Sequence, residues 1–129
     1  MDAKSSIALN AVMRLIDAKD AAAVKAYLSK TSMDAEAKGC AFVYAARKPG
    51  LDIITLLLEN GAALDSKNRD GATALMSASA NGYMEVVKFL LEKGIDINAR
   101  DNSGMTALRY AVANENDDVA RLLKTAGAK

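Results

Sequence analysis

The chain has 129 residues, 51% of them hydrophobic and 26% charged, enough for one ordinary domain with a real core and unlike a collagen-like, disordered or disulfide-rich chain. Its 17 basic and 16 acidic residues leave a formal charge of +1, so global charge points neither to nucleic acid nor to an anionic membrane. Histidine is absent, which removes Ser-His and Cys-His nucleophile pairs and histidine zinc sites, and the single cysteine, Cys40, can form neither an internal disulfide nor a cysteine metal cluster. The sequence predicts no catalytic residue, no metal and no cofactor. The first residues carry no basic stretch followed by a long apolar one, and the run around Ile53–Leu58 is broken by Thr55, so neither a signal peptide nor a membrane span is expected. A cytoplasmic location is the default expectation.

In chain order, apolar spacing predicts helices from Ser6 to Ile16 and from Asp20 to Leu28. A second pair is expected around Phe42 and Ala45 and then over Ile53–Leu58. The third pair is the best defined. Thr73 can cap a short helix carrying Leu75, Met76 and Ala78, and Asn81-Gly82 is a turn signal. Met84–Leu91 then carries apolar residues on more than one side, as in a helix sandwiched between neighbours. Gly94 reads as a left-handed stop, and 95–103 as a polar segment that turns back. The fourth pair repeats this from Thr106 onward. Met105 is expected to be exposed.

These pairs recur at one period. Gly71 and Gly104, Thr73 and Thr106, Leu75 and Leu108, Val86 and Val119, and Leu90 and Leu123 all stand 33 positions apart. One period earlier lie Phe42, Ala45, Ile53 and Leu57, which match in character. The period, the G-x-T-x-L starts, the Asn81-Gly82 turn and the helix Glu85–Gly94 resemble ankyrin repeats over essentially the whole chain. The resemblance implies an all-α ankyrin-repeat solenoid, a single domain 1–129 with four approximate units at 5–37, 38–70, 71–103 and 104–129. The family's T-P-L-H tetrapeptide appears here as Thr73-Ala74-Leu75-Met76 and Thr106-Ala107-Leu108-Arg109, without its proline or histidine. The terminal units are expected to turn polar faces outward. Lys124 replaces the leucine of Leu58 and Leu91, and Asn116-Asp117 replaces Tyr83-Met84.

Several motifs reduce to structural roles. The loops from Asp65 and from Asp96 resemble calcium loops only briefly, since Arg100 occupies a ligand position and Ala107 stands where a closing glutamate is needed. Their Asp and Asn residues are read as turn formers. Glu115–Asp118 is read as complementing the dipole of the last helix. Cys40, aligned with Thr73, is read as a small residue at a helix start, where a reactive thiol is the alternative.

The resemblance further implies protein binding through a concave face made of loop tips and first helices. The corresponding positions are Arg47, Lys48, Lys67, Arg69, Asp70, Asn81, Arg100, Asn102, Ser103, Met105 and Asn114, with Arg109 at the histidine position. Six cations against Asp70 predict a partner protein that is acidic where it docks. An enzyme inhibitor or immunity-type role fits the size of the chain. The alternatives are a redox-responsive or enzymatic protein using Cys40, and nucleic-acid binding through the basic groove. Nucleic acid and membrane are not the expected partners, and a monomer is.

Overall fold

Short acceptor side chains set where most of these helices begin. Asp2, Asp20, Asp34, Thr73 and Thr106 each accept a hydrogen bond from the backbone N–H three residues on, which satisfies one of the free donors of a helix start. The computed structural model describes residues 2–129 and contains, among them, eight helices and no strand. They are α1 (Ala3–Asp17), α2 (Ala21–Lys30), α3 (Ala35–Ala45), α4 (Asp52–Glu59), α5 (Ala74–Asn81), α6 (Met84–Glu92), α7 (Ala107–Ala113) and α8 (Asp117–Thr125). The starts of α4, α6 and α8 have no side-chain cap and instead carry Asp52, Glu85, and Asp117 with Asp118 in the first turn, where negative charge favours the helix dipole. Gly82 ends α5 in the left-handed region, as its pairing with Asn81 predicts.

The helices pack as four pairs, α1 with α2, α3 with α4, α5 with α6 and α7 with α8. The first helices stack side by side in the order α1, α3, α5, α7. Alanines make this possible: Ala37, Ala41, Ala74, Ala78, Ala107 and Ala111 are all buried in the core, where a small side chain lets backbones approach. Phe42, Ile54, Leu57, Leu75, Met76, Leu90 and Leu123 are the larger buried members. They occupy the apolar positions of the 33-residue period. Met76 fills the position where the family carries histidine and is buried; Arg109, at the same position one period later, is exposed.

The second pair departs from the repeat. α3 starts at Ala35, ahead of the expected boundary at 38, because Asp34 caps it, and only Thr31–Asp34 separates it from α2. Cys40 is therefore not a helix-start residue but lies in the interior of α3. The later pairs are joined by longer segments, 60–73 and 93–106, that carry no helix. These form tight turns in which Asn68 accepts from the N–H groups of Asp70 and Ala72, and Asp101 from those of Ser103 and Met105. Asn68, Asp96 and Asp101 are thus turn formers.

Candidate interaction surface

Successive loops are tied to each other through equivalent positions. Lys67 Nζ donates to the carbonyl of Arg100 at 3.3 Å, and Asn102 Nδ2 donates to the carbonyl of Arg69 at 3.0 Å, each bond joining residues 33 apart. Asn102 N–H also reaches the carbonyl of Asp70 at 2.9 Å, and Asp96 N–H reaches Asp65 Oδ1 at 2.9 Å. A row of loop tips is held in register by these bonds. It displays Lys67, Arg69, Asp70, Arg100, Asn102 and Ser103, all exposed. Met105 is half-buried rather than exposed as its alignment predicts, because it follows the tight turn that Asp101 organises.

The first helices contribute the rest of the surface. Asn81 and Asn114, at the ends of α5 and α7, are exposed, and each side-chain amide donates to the carbonyl four residues back, at 2.8 Å in both cases. Arg109 projects from α7 and Arg47 follows α3, both exposed. Lys48 is the exception among the six predicted cations. Its Nζ pairs with Asp17 at 3.1 Å across the first two helix pairs, so its charge is spent inside the molecule. Asp17 also accepts from the Tyr44 hydroxyl at 2.6 Å, and the Arg47 guanidinium lies 5.6 Å from the centre of the Tyr44 ring. The 33-residue period carries no signal for Asp17, which lies in the irregular first pair, whereas Tyr44 stands two periods before Tyr110.

Arg47, Arg69 and Asp70 are brought together in a cleft of about 540 Å³ between α1, α3 and the loop before α5. Leu9, Met13, Cys40 and Val43 supply its apolar lining, and Asn10, Tyr44 and Asn68 its polar one. Alignment of the better repeats missed this cleft, because one wall of it, Ser6, Leu9, Asn10 and Met13, is built from α1. Lys67, Arg100 and Arg109 lie outside it. Among the described residues, Arg47, Lys67, Arg69, Arg100 and Arg109 have no carboxylate within 4.0 Å.

The hydrogen bond from Tyr44, followed by Lys48, holds the Asp17 carboxyl below its usual value, and the same bond pushes the Tyr44 hydroxyl up. Tyr110 and Asp101 form a like pair, with Asp101 lowered and Tyr110 raised. A carboxylate whose folded pKa is depressed contributes stability above its unfolded value of 3.8, and loses it as pH falls through the folded value. Tyr44→Phe is therefore expected to raise the Asp17 pKa toward 3.8, read by NMR titration of the side-chain carboxyl. An unmoved titration would remove Tyr44 as the main cause. Cys40 goes the other way: burial, and then Glu36, push its thiol up. That is opposite to the lowered pKa of a nucleophilic thiol, and Cys40 does not occupy the helix N-terminus at which the sequence placed it.

Stacked helix pairs joined by registered loops, with side chains displayed on one face, define a helical-repeat scaffold. The chain matches the family described as ankyrin repeats in three copies, over residues 8–101 and again over 42–129, and it belongs to that family. Ankyrin repeats are in general protein–protein interaction modules. No curated protein matches the chain. No helix among the described residues is long and apolar enough to cross a membrane.

Proposed function

We propose that this protein is a non-catalytic, monomeric binding module that holds an acidic surface of a partner protein against its loop tips and first helices. The observation that carries the reading is that five exposed cations of this one face, Arg47, Lys67, Arg69, Arg100 and Arg109, have no carboxylate within 4.0 Å among the described residues. Charges left unpaired by the fold are free to steer an oppositely charged surface into encounter. Asn81, Asn102, Ser103, Met105 and Asn114 complete the contact as polar and apolar neighbours, while Lys48 serves the fold through Asp17. Occlusion of an enzyme in the cytoplasm is the finer form of this reading. The raised thiol of Cys40 supports a binding role over thiol chemistry.

The test starts from a partner captured with the tagged protein from extracts of its native host. Lys67→Glu, Arg69→Glu and Arg100→Glu combined should slow association by about tenfold or more, since steering acts mainly on the on-rate. Parental association should also fall as salt rises, because exposed charges are screened over about 10 Å at 0.1 M. Glu115→Lys with Asp118→Lys, at the start of the last pair, should leave association unchanged. Loss of binding in that control with none in the tip variant would move the interface to the acidic end of α8.

A further inference from the structure

Within that face one place has the features of a built seat. The cleft between α1 and α3 combines an apolar floor with two guanidinium groups, and its volume of about 540 Å³ falls in the ordinary range of ligand sites, roughly 300–1,000 Å³. Leu9 and Val43 in the floor are buried and Met13 is half-buried, so the floor is fixed by the core beneath it. Arg47 follows α3 and Arg69 lies in the loop before α5, and neither has a carboxylate within 4.0 Å among the described residues. Asp17, which Arg47 influences only at longer range, is already taken by Tyr44 and Lys48. Asp70 lines the cleft too, so two positive groups face one negative group there.

We propose that this cleft seats an acidic linear segment of the partner protein, with one carboxylate held by Arg47 and Arg69 and an adjacent apolar side chain packed on Met13 and the accessible edge of Leu9. The proposal rests on the concave-face reading above and assigns it a recognition chemistry. A guanidinium presents a planar fork of donors that matches a carboxylate, and an apolar floor beside it favours a segment with alternating character over a small free anion. Continuity of charge points to a chain rather than an isolated group. Arg69 belongs both to the cleft and to the row of tips with Lys67 and Arg100, so an extended acidic segment leaving the cleft continues along favourable charge.

The probe is a fluorescein-labelled synthetic peptide of about eight residues, alternating Glu and Leu, followed by fluorescence anisotropy with the full chain. Saturable binding is expected, weakened about tenfold by Arg47→Gln with Arg69→Gln and unchanged by Arg121→Gln on α8. Peptides with Gln for every Glu, or Ser for every Leu, should each bind about tenfold more weakly, and they decide the chemistry even if the double variant melts lower than the parent. In NMR spectra the side-chain amides of Asn10 and Asn68, which line the cleft, should shift on peptide addition, while those of Asn81 and Asn114 stay in place. Absent saturation, equal binding of the substituted peptides, or shifts confined to Asn81 and Asn114 would each overturn the proposal. If the peptide fails while the combined tip variant still loses the captured partner, the cleft assignment falls and the broader interaction face stands.

Discussion

Phe42→Ala is expected to cost about 3–5 kcal/mol of stability, the usual range for emptying a well-packed aromatic site. Phe42 is fully buried, at the position that Leu75 occupies one period later. It lies on α3, which packs against α1 on one side and α5 on the other, so the cavity weakens two interfaces between helix pairs. Repeat arrays sum nearest-neighbour terms, and a loss of this size is a large part of a typical total of about 5–15 kcal/mol. The first helix pair should then detach before the rest, visible as a broadened urea transition with a lower midpoint. Phe42→Leu restores the residue of the next repeat and should cost less than about 1.5 kcal/mol. A change under about 1 kcal/mol for Phe42→Ala would mean that the junction between the first three helix pairs has been placed wrongly.

Gly71 and Gly104 form an internal experiment. Both occupy the same position of the repeat and both have positive φ, 76° and 80°. A side chain at either pays about 1–2 kcal/mol for the left-handed backbone. At Gly104 nothing else stands in the way, since no atom lies within 4 Å of an added Cβ. At Gly71 the added carbon meets Asn102, with Oδ1 at 2.5 Å and the backbone N at 2.9 Å. Asn102 can yield only by giving up its bonds to Arg69 and Asp70. Two such bonds, each worth about 0.5–1.5 kcal/mol, bring the expected cost of Gly71→Ala to about 3 kcal/mol, against about 1–2 for Gly104→Ala. Equal costs in denaturant melts would show that the loop-to-loop bonds contribute nothing to stability. The same substitution should also loosen the tips that carry Lys67 and Arg69.

The two glycines mark the limit of reading by period. Sequence alone equates them, and only packing distinguishes them, because a neighbouring loop crosses one and not the other. Asn116 shows the same limit. Its replacement of Tyr83 reads as part of a polar outer end, yet its side chain turns inward and donates to the carbonyls of Ser79 and Ala80 at 2.9 and 3.0 Å, pinning α8 to the end of α5. Lys124, at the next such replacement, does face solvent. A polar residue has both options, and the presence of free carbonyls at a helix end selects between them.

What the sequence determined by itself was the repeat: the 33-residue period, the Thr73 and Thr106 caps, the Gly82 and Gly94 stops and the apolar positions that became the core. These are local signals, a hydroxyl reaching an N–H three residues on or a backbone needing positive φ, and they recur wherever the local chemistry recurs. Tertiary structure decided the rest. The meeting of the first two pairs paired Lys48 with Asp17, and α1 closed a cleft over Arg47 and Arg69. Each of these depends on which residues meet across pairs distant in the chain, where the first pair breaks the period and alignment has no position to offer.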